Sequence, residues 1–118
     1  MESKMTIEEI NKKAEELTLT AQTMDGALRL VAEECAEVIQ ASLKYIRSES
    51  CSYIDKDKVF NNLAEEIGDV ESAMIGLKAL LSAENLEFNE LVRSIRESKV
   101  KRWESRIEAE KGNTTLDK

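Results

Sequence analysis

Two short acidic motifs constrain this chain more than anything else in it: Glu33-Glu34-Cys35-Ala36-Glu37 and Glu66-Ile67-Gly68-Asp69. Residues three and four apart on a helix lie one above the other. Glu34 with Glu37, and Glu66 with Asp69, therefore each aim a pair of carboxylates in about one direction. If the two helices face each other, the pairs form a cage of oxygens. Like charges crowded together repel and are costly to desolvate, so such a cage implies a cation among them. A hard divalent ion, magnesium above all, suits an all-oxygen site.

The rest of the chain agrees with a helical reading. Proline is absent and there are only four glycines among 118 residues, a composition that favours helices over a many-turned β fold. The expected fold class is all-α. Residues 1–112 read as one helical domain and residues 113–118 as a polar tail. A chain this short gains stability by oligomerising, so more than one copy is expected.

Four helices are expected. Thr6 and Glu9 have capping-box spacing, and Ile7, Ile10, Ala14 and Leu17 follow at helical intervals, which predicts a first helix over about 6–18. Asn11, Lys12, Lys13 and Glu16 read as its solvated surface. Thr23 or Asp25 caps a second helix over about 24–48, with Leu28, Val31, Cys35, Val38, Ile39, Ser42 and Ile46 as its bundle-facing stripe. Glu34 falls on the shoulder of that stripe and Glu37 further round. Asp55 caps a third helix over about 56–81, whose stripe is Val59, Leu63, Ile67, Val70, Met74, Leu77 and Leu81. Glu66 lies within this apolar arc and Asp69 on its edge, whereas Glu65 and Glu71 fall outside it. Gly68 and Gly76 weaken the helix and are explained if a neighbouring helix or ligand comes close there. Ser82 or Asn85 opens a last helix running to about 110 and ended by Gly112.

Several classes of function are excluded or disfavoured. A net charge of −7 argues against nonspecific nucleic-acid binding, which needs basic patches. No apolar run approaches the ~20 residues that span a bilayer, and the N-terminus is too polar and acidic for a secretory signal, so a soluble cytoplasmic protein is expected. With no histidine and two cysteines, a Ser-His-Asp triad, a Glu-x-x-His di-iron site and a single-chain thiolate or imidazole zinc site are all ruled out. Cys35 reads as a small core residue and Cys51 as a loop bystander. Arg93, Arg96, Lys99, Arg102 and Arg106 form a basic stripe that either pairs with acidic surface or binds phosphate, and Trp103 reads as packing. What remains is carboxylate and metal chemistry on a phosphorylated ligand.

The residues resemble the MazG-like all-α nucleoside triphosphate pyrophosphohydrolases, whose signature is Glu-Glu-x-x-Glu followed by Glu-x-x-Asp. The match extends from Ala21-Gln22 through Val31-Ala32-Glu33-Glu34-Cys35-Ala36-Glu37-Val38-Ile39-Gln40-Ala41 and Lys44-Tyr45-x-Arg47 to Leu63-Ala64-Glu65-Glu66-Ile67-Gly68-Asp69-Val70-Glu71. The resemblance implies a helical bundle whose four-helix core is completed by oligomerisation as a homodimer or homotetramer. It implies magnesium, with manganese able to substitute, on Glu34, Glu37, Glu66 and Asp69. The implied reaction splits a nucleoside triphosphate between its α and β phosphates, with Glu33, Glu34 and Glu66 in the catalytic centre. Glu33 either orients or deprotonates the water or only supports the cage. Lys44, Lys99 and Arg102 are the phosphate-binding candidates, and Gln22 and Asn62 the base-binding ones. The alternative is a non-catalytic helical oligomerisation or regulatory module that keeps the carboxylates as a structural metal site.

Overall fold

A computed structural model describes residues 4–116, and every regular element among them is a helix. These are α1 (Ile7–Ala21), α2 (Met24–Ser48), α3 (Lys56–Glu84) and α4 (Phe88–Leu116). The all-α expectation holds. The chain divides into two compact units, Met1–Glu84 and Asn85–Lys118.

The expected helix starts are built as their side chains dictate. Thr6 Oγ1 accepts from the Glu9 amide while Glu9 Oε1 accepts from the Thr6 amide, a complete capping box. Thr23 Oγ1 accepts from the Gly26 amide at α2. Asp55 Oδ1 accepts from the amides of Asp57 and Lys58 at α3. Each such cap satisfies an amide that the helix leaves orphaned, and is worth about 1 kcal/mol. Asn85 Oδ1 accepts from the Glu87 amide just ahead of α4.

Three helix ends run past expectation, α3 among them: it continues to Glu84, so Ser82 lies inside it, donates to the Ala79 carbonyl and does not open the last helix. Helix α1 runs on to Ala21, with the Thr18 and Thr20 hydroxyls donating to the carbonyls of Ala14 and Glu16, an arrangement compatible with the helix. Helix α4 passes through Gly112 to Leu116. No glycine in the described residues has positive φ, so Gly112 does not make the left-handed stop that a terminal glycine makes.

In the first unit α3 packs against both α1 and α2. The connection 49–55 folds α3 back along α2, as short links between neighbouring helices require. A 3.4 Å ion pair from Lys56 to Glu49 ties its two ends together. The fully buried positions of α2 and α3 are mostly small: Ala27, Ala41, Ala73 and Ser48, whose hydroxyl donates to the Tyr45 carbonyl, with Gly76 and the larger Leu77. Val31, Glu34, Val38 and Tyr45 of α2 are half-buried along the same strip. Tyr45 reaches across to Phe60, the ring centroids 6.2 Å apart.

These buried positions correct the stripe expected for α2. Leu28, Ile39 and Ile46 are exposed, Ile39 and Ile46 by 61% and 64%, and Cys35 is exposed as well, so it is not a core residue. The true seam is rotated by about one residue, or ~100°, from the stripe drawn through the larger aliphatics. On α3, Ile67 and Met74 are likewise exposed, while Val59, Leu63, Val70 and Leu81 are half-buried.

Gly76 allows the close approach expected of it. A Cβ there would collide with Thr18 Oγ1 and lie 2.8 Å from Thr18 Cβ, so the missing side chain lets α1 lie directly on α3. Nothing stands within 4 Å of a Cβ placed on Gly68.

The second unit is α4 and its lead-in. Arg93 bridges Glu90 at 2.7 Å and Glu97 at 3.1 Å, and Lys101 reaches Glu97 at 3.2 Å. Part of the basic stripe is therefore spent on the helix's own acidic residues, the i,i+3 and i,i+4 support expected of a solvated helix. Trp103 is 64% exposed, against the expectation that it packs. No helix in the described residues is long and apolar enough to cross a membrane.

Candidate functional site

Glu34 and Glu37 come from the middle of α2, and Glu66 and Asp69 from the first half of α3. Because α3 folds back along α2, the two helical i,i+3 pairs meet across the seam. One oxygen from each of the four carboxylates lies within 4.8 Å of the others. Oxygens around a hard cation stand about 2.0–2.6 Å from it, so a set spread over this span fits around one ion.

Burial sharpens the point. Glu34 and Glu66 are half-buried, Glu37 and Asp69 exposed. Glu34 Oε2 and Glu66 Oε2 are both shut off from solvent without a hydrogen-bond partner. Buried acceptors in folded proteins are nearly always satisfied, and two orphans in one cage make it a candidate place for a cation. The electrostatics of the cage agree. A hydrogen bond with the Glu37 carboxyl, then burial, then the charges of Glu37, Asp69 and Glu34 push Glu66 up to about 7. Burial raises Glu34, with further pressure from Glu37, Asp69 and Glu33. The donor set, four carboxylates and no nitrogen or sulfur, is one that a hard divalent cation such as magnesium, calcium or manganese can use.

The cage opens onto a groove of about 480 Å³ lined by Glu34 and Asp69 on one side and by Ile10, Lys13, Ala14, Leu17 and Thr18 of α1, with Leu30, Ser72 and Ala73. Its size is that of a small-molecule cleft. A separate hollow of about 420 Å³ is lined by Gln22, Arg29, Leu30 and Glu33. Of the residues expected at the site, Glu34, Glu37, Glu66 and Asp69 are brought together. Glu33 is exposed and faces the second hollow. Lys44 is exposed two turns beyond Glu37 on the same side of α2, and Asn62 is half-buried one turn before Glu66. Gln22 lines the second hollow and not the groove beside the cage. Lys99 and Arg102 lie exposed on α4, in the other unit.

Lys13, expected on the solvated surface of α1 and exposed there, also lines this groove. It stands three after Ile10 and four before Leu17, and this spacing alone puts it on the groove-facing side of α1. Comparison of the chain with protein-family models, with curated proteins and with solved structures finds no match.

Proposed function

We propose that this chain is a magnesium-dependent, MazG-like nucleotide pyrophosphohydrolase that cleaves a nucleoside triphosphate between its α and β phosphates. The observation that carries this reading is the four-carboxylate cage on α2 and α3, with its two buried, unpartnered oxygens, opening onto a groove of ligand size. A cage built only for stability would be better filled by apolar side chains of the same volume.

Glu34, Glu37, Glu66 and Asp69 hold the metal. When bound, it neutralises phosphate charge and makes a water nucleophilic near neutral pH. Water attacks the α phosphorus and the bridging α–β P–O bond breaks, giving the monophosphate and pyrophosphate. Glu33, next in sequence to Glu34 but facing the second hollow, acts on the cage through its charge on Glu34 and supports it from outside the groove. The aliphatic walls of the groove, Ile10, Leu17 and Leu30, exclude water from the substrate's apolar parts.

The same reading includes self-association. Leu28, Ile39 and Ile46 of α2 and Phe60, Ile67 and Met74 of α3 are exposed. Their offset of about +100° from the seam puts both sets on one side of the α2–α3 pair, opposite the side on which Thr18 of α1 meets Gly76. An uncovered apolar face of this kind fits a second copy of the chain, giving a homodimer or a homotetramer.

The test is a magnesium-dependent assay of the purified protein against canonical and modified nucleoside triphosphates, with pyrophosphate and orthophosphate separated. Pyrophosphate with matching monophosphate, lost on chelation and in Glu66→Gln, is the expected result. Magnesium-dependent thermal stabilisation with no turnover of any triphosphate would instead make the cage a structural metal site.

A further inference from the structure

We propose that Lys13 of α1 is a phosphate-holding residue of the site, gripping the substrate's polyphosphate chain across the groove from the carboxylate cage; the identification of that chain rests on the reading above. The chemistry of the groove leads to this. A polyphosphate brings several negative charges toward four carboxylates in a chain whose net charge is −7, and one divalent ion leaves much of that repulsion in place. A side-chain cation facing the same space is required. Lys13 is the cation among the residues lining the groove that Glu34 and Asp69 share.

Lys13 is also available for the task. Its ion pair is with Glu16, at 3.9 Å and with both side chains more than half exposed. Such a pair contributes little and releases its lysine at small cost. Among the described residues no ion pair joins Lys13 to Glu34 or Asp69, although all three face one cavity. A cation on one wall and a carboxylate cage on the other, held apart by open space, complement a ligand that is anionic toward the lysine and carries a metal toward the cage. A metal–polyphosphate is such a ligand. The hydroxyl of Ser72 on the same lining adds a neutral donor. On a four-carbon stem the ammonium acts as a mobile point charge able to follow the chain during cleavage.

The experiment measures magnesium–tripolyphosphate binding by calorimetry, and triphosphate turnover, for the wild-type chain, Lys13→Met and Lys13→Arg. Lys13 is exposed, so neither variant threatens the fold. Lys13→Met is expected to weaken tripolyphosphate binding and raise KM by about ten-fold or more, the size of one charge-assisted hydrogen bond. Lys13→Arg restores most of both, the salt dependence of binding falls in Lys13→Met, and binding of manganese alone is unchanged. Equal tripolyphosphate binding by wild type and Lys13→Met, or no binding by wild type, overturns the assignment. Lysine-dependent tripolyphosphate binding in a protein that turns over no triphosphate upholds Lys13 and sinks the pyrophosphohydrolase reading instead.

Discussion

Glu66 on α3 and Glu37 on α2 stand close enough for a hydrogen bond between their carboxyls, and this contact, more than burial, lifts Glu66 to about 7. The helix packing that brings the four oxygens together thus makes the metal-free protein prefer one of them protonated. A carboxylate whose folded-state pKa lies above its usual 4.5 contributes stability below that value, and the contribution is lost as pH rises through about 7. In chelator, the melting temperature of the wild-type chain is therefore expected to fall across this window relative to Glu66→Gln, whose neutral amide has no proton to lose. Magnesium or manganese removes the fall by taking the proton's place. Parallel wild-type and Glu66→Gln melting profiles in chelator would remove the strain assigned to the cage.

Activity separates the ligands from one another. Glu66→Gln keeps the shape of the side chain but removes charge at a half-buried position, so a loss of at least ~100-fold in turnover is expected with the fold intact. Asp69→Asn acts at the exposed rim of the cage, and its main effect is expected in the magnesium titration, shifted to higher concentration. Normal turnover in Glu66→Gln excludes the proposed centre. An unchanged magnesium titration in Asp69→Asn removes Asp69 from the ligand set.

How far the sequence could be read follows from which forces it displays. Caps are local, and Thr6, Thr23 and Asp55 sit where their side-chain chemistry puts them, while Asn85 makes a turn just ahead of α4 and does not cap it. The four carboxylates were legible because helical spacing aligns them in pairs and Glu66 interrupts an apolar arc. The seam of α2 was not, because its apolar pattern is dominated by Leu28, Ile39 and Ile46, which face outward. Two helices that approach closely select small residues, and Ala27, Ala41 and Ser48 carry little weight on a hydrophobicity scale. Lys13 reads as solvated surface, which it is, but its place on the groove is not legible for a related reason. A charged residue on a short amphipathic helix looks solvated until the cavity beside it is seen.

The glycines of α3 separate close packing from open space. Gly76→Ala puts a methyl group against Thr18 Oγ1 and 2.8 Å from Thr18 Cβ, so α1 must move off α3, at a cost of about 1–3 kcal/mol. Denaturant unfolding should show this, and Thr18→Ala should recover only part of it, because the clash with the residue 18 Cβ remains. Gly68→Ala meets nothing within 4 Å and is expected to be neutral or to stabilise by up to ~1 kcal/mol. Gly76→Ala as stable as wild type would contradict the α1–α3 contact.

The uncovered apolar face makes the last prediction. Ile39 lies mid-helix on α2, is 61% exposed, and stands on the side of the α2–α3 pair where Ile67 and Met74 are also uncovered. If a second copy covers this face, a charge at position 39 must be desolvated to associate, and several kcal/mol of opposition is expected from one buried, unpaired carboxylate. Ile39→Glu should then sediment as a smaller species than wild type at equal concentration, with its helical signal largely kept in the α1–α3 unit. Because Ile39 is not one of the four carboxylate positions, manganese binding by the isolated cage should survive in the variant even where turnover falls. That split distinguishes a site that needs a partner to bind substrate from one that needs it to hold metal. A wild-type chain that sediments as a monomer, or an Ile39→Glu variant that sediments with it, would mean that this face does not join two copies.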